Sequence, residues 1–406
     1  MNTNCNLCGS DDTKQIIEIG KIPLGYPVKS ISEIIWQKSL TLIFCQNCFV
    51  VFTRYCVPAG RLVDENLYQS TGYRLISNHD YFFASWATEH TSIQKKDLII
   101  EIGCSDGSLL ERFLENGYSN LIGIEPSLHI SKNYRFDVIE SFFNLETVNE
   151  LIKRDKRPKV IIANYVLELI PDLNEFVKNL SLLMNKGSYV IIEVPYFNDF
   201  FFKRRIDGFA HLRTYWFTKN SLVSLFSKFN FRVVNIEHDS LYRGGTLRAL
   251  FMRDNKEIPI TQEIIKELIV EKNELELENI LSNAENINVL KKIIVSSLMN
   301  FFYKKTVIIY GAGHKATTLI FWLGLTDTDI HYAVDNDLNK QGRYIPNSKI
   351  PIKSVKDMLV ESENKSIIVL NFAIDHTEEV VSFLKTKLCH GSKIINLLPN
   401  FSVLDV

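Results

Sequence analysis

The chain has 406 residues, 46% of them hydrophobic and 23% charged, with a formal net charge of -1. That length and composition suit cores of ordinary density in two or three domains, and the charge balance excludes the basic surface of a nucleic-acid or membrane-surface binder. No run approaches the roughly 18 apolar residues of a membrane span, and the opening M-N-T-N-C-N-L-C has no apolar signal region; a cytoplasmic protein is expected.

In chain order, the first chemical signal is a pair of C-x-x-C knuckles, Cys5/Cys8 and Cys45/Cys48. Two cysteines three apart direct both sulfurs at one ion, so the four thiolates predict a tetrahedral metal site with no open position for water. Zinc in a structural role is the expected occupant, holding together some 70 residues with a thin core of their own; iron would also fit four sulfurs. A redox reading lacks the strand-then-helix context of a thioredoxin motif. Cys56 is a spare thiol, and Cys104 and Cys389 read as small packing residues.

Residues 66–89 have helical spacing with several aromatics. Strands are then predicted at 98–102, 120–124, 159–163, 188–194 and 232–238, alternating with helices at 109–116, 145–153, 173–184 and 219–228. This alternation implies a mostly parallel sheet with helices on both faces. Ligands in such sheets bind beyond the carboxyl ends of the strands, which would gather Glu101, Gly103, Glu125, Asn164 and Glu193 at one edge.

Two of those strand ends carry a nucleoside signature. I-I-E-I-G-C-S-D-G, ending at Gly107, is a strand, an acid and a glycine turn; L-I-G-I-E-P-S ends its strand at Glu125, where a carboxylate meets the two hydroxyls of a ribose. The loop is E-x-G-x-x-x-G and lacks the glycines that admit a pyrophosphate. S-adenosylmethionine, which has no pyrophosphate, therefore fits better than NAD.

Residues 261–298 read as a helical connector, and T-V-I-I-Y-G-A-G-H-K-A-T-T-L from Thr306 opens a second strand, glycine turn and helix, with a following strand that ends at Asp335. The fold class expected is α/β: a zinc-binding domain at 1–70, a Rossmann-like domain at 71–255, a connector at 256–300, and a C-terminal Rossmann-like domain at 301–406.

The order of these motifs resembles the three-domain sugar C-methyltransferases that modify nucleotide-linked keto-deoxysugars. The likeness runs through both C-x-x-C knuckles, E-I-G-C-S-D-G, G-I-E-P-S, A-N-Y-V-L-E-L-I-P-D-L at 163–173, E-V-P-Y at 193–196, R-G-G-T-L-R at 243–248, Y-G-A-G-H-K-A-T-T-L, and D-N-D-L-N-K-Q-G-R-Y-I-P at 335–346. It implies that 71–255 is a class I methyltransferase domain and 301–406 a substrate domain, with S-adenosylmethionine in the middle domain, zinc in the first, a nucleotide-linked sugar gripped between the middle and C-terminal domains, and no nucleic-acid or membrane partner. By the same likeness Glu101, Gly103, Ser105, Asp106 and Gly107 surround the methionine part, Glu125 the ribose, Phe142 or Phe143 the adenine, and Asn164 the amino group.

The chain departs from its relatives at the acceptor. Where they carry Y-H-E-H it has Ala210, His211, Leu212 and Arg213, and Glu168 and Leu169 stand where Ala and His are usual. Carbon methylation needs a base to remove a proton. His211, Tyr196 or Glu168 could substitute, His211 foremost because its ordinary pKa lies near neutrality, and Arg213 and Arg243 could hold phosphate or carboxylate. Transfer to oxygen or nitrogen of another small anionic acceptor, and a non-catalytic relative that only binds cofactor and sugar nucleotide, are the alternative readings.

Overall fold

The computed structural model describes residues 4–57, 74–127, 134–254, 260–302 and 305–406. Near the N-terminus, β1 (Thr13–Pro23), β2 (Gln37–Cys45) and β3 (Val51–Thr53) form an antiparallel meander. Its fourth strand comes from far along the chain, because β3 pairs with residues 215 and 216. These strands have no core of their own. Ile17, Ile19, Leu42 and Phe44 join one large cluster with the C-terminal sheet, while Ile43, Phe52 and the four cysteines of the knuckles pack with the methyltransferase-type sheet.

The second sheet grows from alternating elements: α1 (Arg74–His90), β4 (Ile99–Ile102), α2 (Ser108–Glu115), β5 (Leu121–Ile124), β6 (Asp137–Ile139), α3 (Leu145–Lys153), β7 (Val160–Asn164), α4 (Leu173–Leu183), β8 (Tyr189–Pro195), α5 (Phe197–Phe202), β9 (Tyr215–Trp216), α6 (Lys219–Ser227), β10 (Phe231–Asp239) and β11 (Thr246–Arg253). Residues 66–73 of the first expected helix lie outside the described residues. Seven strands line up as β10-β11-β8-β7-β4-β5-β6. All neighbours are parallel except β11, which runs against both β8 and β10. β4 and β7 are central strands buried on both faces, β4 with Glu101 included and β7 as far as Ala163. Helices α3 and α4 start where Asn144 and Asp172 accept the N–H groups of Thr147 and Glu175, each at 2.9 Å.

The run of phenylalanines in α5 packs as core: Phe200 and Phe201 are fully buried, and a Cβ on Gly208 would sit 1.9 Å from the Phe200 ring. The connector is two helices, α7 (Gln262–Glu274) and α8 (Leu277–Phe302). β12 (Thr306–Tyr310), α9 (His314–Leu323), β13 (Tyr332–Val334), β14 (Ile352–Lys353), α10 (Val355–Asn364), β15 (Ile367–Asn371), α11 (Thr377–Lys387), β16 (Lys393–Asn396) and β17 (Ser402–Asp405) complete the chain. The third sheet runs β14-β13-β12-β15-β16-β17, parallel except for β17. That order is the dinucleotide-fold arrangement, with its switch point between β12 and β15. The expected α/β class is borne out. No described helix is long and apolar enough to cross a membrane.

Candidate functional site

The carboxyl ends of β4, β5 and β7 meet at one edge. Gly103 leaves β4 with φ +73, and a Cβ there would lie 2.4 Å from Cγ2 of Val166, so only glycine lets the two loops close on each other. Gly107 (φ +81) is similarly crowded by Phe136 and Tyr134, and the Tyr134 hydroxyl donates to the Ser105 carbonyl at 2.6 Å. Glu125, at the end of β5, accepts the N–H of Ser105 at 3.0 Å and of Ser127 at 2.9 Å. The Glu125 N–H donates to the Ile139 carbonyl at 3.1 Å, which brings the segment carrying Phe142 and Phe143 beside the ribose position. Phe142 is 46% exposed there, whereas Phe143 packs on Phe176 with ring centroids 5.3 Å apart.

The same edge is crowded with acid. Glu101 is buried, and burial together with the nearby Asp80, Asp106 and Glu125 pushes its carboxyl well above the usual range. Asp80 is also buried and raised by burial, and it accepts the Ser108 hydroxyl at 2.6 Å. Glu101 Oε2, Ser105 Oγ and Asn164 Oδ1 are buried without a hydrogen-bond partner. A cation with N–H donors satisfies all three kinds of atom at once, so the residues fit the ammonium end of an amino-acid cofactor such as S-adenosylmethionine. Glu193 reaches the edge differently: it is fully buried, 2.6 Å from His79 Nε2 and 2.7 Å from Arg248, and His79 stacks on Tyr242 at 3.6 Å.

Asp80 escaped the sequence reading. Its signal was an acid on the apolar stripe of α1, in register with Phe83, Ala84 and Ala87, all fully buried. Glu271 carries the same signal between Ile264, Leu268 and Leu275 on the connector. It accepts the Tyr196 hydroxyl at 2.9 Å and the N–H groups of Lys219 and Asn220 at 2.8 Å. Tyr196 is thereby engaged in holding the start of α6, and burial beside Glu271 drives its phenol far upward.

The other four expected acceptor residues are Glu168, His211, Arg213 and Arg243. Arg213 Nε lies 3.7 Å from Glu168 Oε1, and its Nη1 donates to the Gly208 carbonyl at 2.7 Å. His211 donates from Nε2 to the Lys38 carbonyl at 2.9 Å, with its ring edge-on to Trp36 at 4.8 Å. Burial holds its imidazole below the ordinary value, and Nδ1 has no partner. Arg243, in the left-handed region (φ 52), lies over the Tyr165 ring at 4.3 Å. Across the cleft stands the first turn of α9, where desolvation, Arg213 and Lys315 push the His314 imidazole down to about 3.

The knuckles converge as their spacing predicts. Cys5 Sγ is 3.6 Å from Cys48 Sγ, Cys8 Sγ is 3.5 Å from Cys45 Sγ, and all four sulfurs lie within 4.8 Å of one another. Tetrahedral thiolates at a metal–sulfur distance of about 2.3 Å stand about 3.8 Å apart, so the set could hold one ion.

A seven-stranded sheet with one reversed strand next to its end, and an acidic edge at the carboxyl ends of its central strands, has the architecture of a class I methyltransferase. The methyltransferase-domain family matches residues 70–236, and the family described as the C-methyltransferase C-terminal domain matches residues 241–399. The C-methyltransferase NovU of Streptomyces niveus is 23% identical over 415 residues, covering 99% of this chain and 96% of that one. Among solved structures, an S-adenosylmethionine-dependent methyltransferase from Archaeoglobus fulgidus is 18% identical over 49% of this chain and 87% of its own, with a TM-score of 0.35. Magnesium protoporphyrin IX methyltransferase from Synechocystis is 11% identical over 48% of this chain and 91% of its own, at 0.34. The chain is an S-adenosylmethionine-dependent methyltransferase, in which a four-cysteine group precedes a methyltransferase domain and a stretch that matches the C-methyltransferase C-terminal domain.

Proposed function

We propose that the protein methylates carbon on a small nucleotide-linked keto sugar, with a structural zinc ion in the four-thiol site. The observation that carries the acceptor reading is a second nucleotide-type edge, joined by ion pairs to the methyltransferase part. Gly311 turns with φ +100, nothing lies within 4 Å of where a Gly313 side chain would be, and the Ala312 N–H donates to Asp335 at 2.9 Å. From that edge, Asp375 pairs with Arg205 at 2.6 Å and Lys315 approaches Asp207 at 3.6 Å, both partners belonging to the methyltransferase part. A nucleotide in the crevice between β12 and β15 would direct its sugar toward residues 205–213 and the cofactor edge. The full-length match to a protein named a C-methyltransferase supports transfer to carbon.

S-adenosylmethionine, when bound, supplies an electrophilic methyl group. The chain's own residues divide the remaining work. Asp80, Glu101, Asp106 and Asn164 would hold the ammonium end, Glu125 the ribose hydroxyls, and Phe142 the adenine face. The acceptor side must orient the sugar, keep water out and take a proton from the carbon to be methylated. Incubation with S-adenosylmethionine and thymidine- or uridine-diphosphate-linked 4-keto-6-deoxyhexoses, followed by mass spectrometry and NMR, tests the reading. A gain of one methylene is expected, with NMR placing the new methyl on the carbon beside the ketone in place of its proton; a new methyl on oxygen or nitrogen would redirect the reading to those atoms.

A further inference from the structure

Segment 210–213 reads A-H-L-R and holds no carboxylate, yet the fold places one against it. Glu168 lies in the short 3-10 turn Leu167–Leu169. The chain leaves β7 at Asn164, Tyr165 takes φ 55 with its N–H on the Glu193 carbonyl at 2.8 Å, and Val166 covers Gly103 of the cofactor loop. Two residues further on, the Glu168 side chain is 2% exposed. One carboxylate oxygen is 3.7 Å from Arg213, while Oε2 is buried with no donor. The backbone fixes the pair as well, since the Thr214 N–H donates to the Glu168 carbonyl at 2.8 Å. A buried carboxylate oxygen without a donor is costly unless a ligand or a reaction uses it.

The other candidates are turned elsewhere. His211 is tethered to β2 and braced on Trp36, on the side of the N-terminal sheet, and the Tyr196 hydroxyl is spent on Glu271. Arg213 faces both Glu168 and His314 of the C-terminal edge, so Glu168 stands between the cofactor loop and the proposed acceptor crevice.

We propose that Glu168 is the catalytic base of the reaction and Arg213 the positioning residue that orients its carboxylate. The assignment rests on the keto-sugar reading given above. Oε2 takes the proton from the carbon beside the ketone; the C–H bonding pair becomes the carbon–carbon double bond of the enolate, and the carbonyl π pair moves to oxygen. The enolate carbon would then take the methyl group as the pair on oxygen re-forms the carbonyl, the pair of the broken carbon–sulfur bond staying on sulfur in S-adenosylhomocysteine, and Glu168 returns its proton to solvent. Burial raises the Glu168 carboxyl while Arg213 and Arg243 oppose the rise, which makes it a stronger base than an exposed glutamate.

The test is proton exchange without methyl transfer. The full chain, saturated with S-adenosylhomocysteine in deuterated water, is given thymidine- and uridine-diphosphate-linked 4-keto-6-deoxyhexoses, and loss of the proton beside the ketone is followed by NMR. Glu168→Gln should slow exchange by about 100-fold or more with S-adenosylhomocysteine affinity kept, and Glu168→Asp should fall between the two. If the Gln variant fails to bind S-adenosylhomocysteine, the Asp variant decides: slower exchange with binding intact supports the assignment, and an unchanged rate overturns it. Exchange by Glu168→Gln at the wild-type rate also overturns it. No exchange by the wild type on any of these probes overturns the keto-sugar reading, and the base assignment with it. Arg213→Gln should move the acid limb of the exchange profile to higher pH, because losing the cation raises the Glu168 pKa further, and Arg213→Lys should restore it. A limb that stays put in Arg213→Gln removes Arg213 from the role.

Discussion

Arg205 closes on Asp375 at 2.6 Å across 170 residues of chain, while holding Asp207 through two further hydrogen bonds at 2.7 and 2.8 Å. The guanidinium also backs the R-G-G-T loop: a Cβ on Gly244 would lie 2.9 Å from its Nη1. That loop carries Tyr242, stacked on His79 next to Asp80, and Arg243, set over Tyr165. One buried arginine thus links the C-terminal edge to the rim of the cofactor site.

Asp375→Asn should therefore destabilise the protein at neutral pH, by about 1–3 kcal/mol given that Arg205 retains Asp207. Burial opposes ionisation of Asp375, but Lys315 and Arg205 outweigh it and hold the carboxyl well below the usual carboxylate range. A carboxylate depressed on folding stabilises the fold above its unfolded pKa of about 3.9 and loses that contribution as pH falls toward the folded value. Urea denaturation at stepped pH should show a constant gap between wild type and variant from pH 6 to 8 that closes below about pH 4. A gap that persists unchanged at pH 3 would mean the effect is not ionic.

Gly103→Ala should weaken S-adenosylhomocysteine binding by at least about tenfold, since the new methyl would meet Val166 at 2.4 Å and an L-residue at φ +73 costs about 1–2 kcal/mol. Adding Val166→Ala removes the clash and leaves the backbone cost, so the double variant should recover part of the affinity. Calorimetric titration separates the cases, and a single variant with wild-type affinity would place the cofactor elsewhere.

How far the sequence led depended on whether burial left a pattern. β5 and β7 are apolar runs closed by Glu125 and Asn164, β4 and β8 are apolar runs with one acid near the carboxyl end, and Glu101, Gly103 and Glu125 meet where these strands end. β9 is two residues long and too short to carry a period, so its crossing into the N-terminal sheet was hidden. β11 was masked by the R-G-G-T-L-R motif, which drew attention to its charges rather than to the strand they open. Asp80 and Glu271 interrupt helical apolar stripes without belonging to any motif, and only packing reveals what they face. The Glu168–Arg213 contact depends on two turns meeting, which no local spacing encodes.

Binding at the acidic edge should release protons. Glu101 is pushed well up by burial and by Asp80, Asp106 and Glu125, which favours its protonated form in the free protein. An ammonium group arriving among these carboxylates favours the ionised form and lowers that pKa. Titration with S-adenosylhomocysteine in buffers of different ionisation enthalpy should report net proton release, and affinity should fall as the pH is lowered from 8 to 6. Proton uptake, or affinity independent of pH, would show that Glu101 does not face the ammonium.

The four-cysteine site should melt together with the methyltransferase sheet rather than before it. Its first knuckle is bound from outside: Lys228 Nζ donates to the Leu7 carbonyl at 2.5 Å, and Asn174 Nδ2 to the carbonyls of Asn6 and Leu7 at 3.1 and 3.2 Å. Cys5, Leu7, Cys45 and Cys48 share one core with Val190, Ile192 and Phe251 of that sheet. Four thiolates within 4.8 Å of one another repel unless a cation sits among them, so metal binding is coupled to this packing. Elemental analysis should find one zinc per chain, lost in Cys48→Ser, and calorimetry should show a single transition displaced downward by about 10 °C or more. A separate low-temperature transition would mean that the knuckles fold on their own, and a metal-free wild type of unchanged stability would remove the ion from the site.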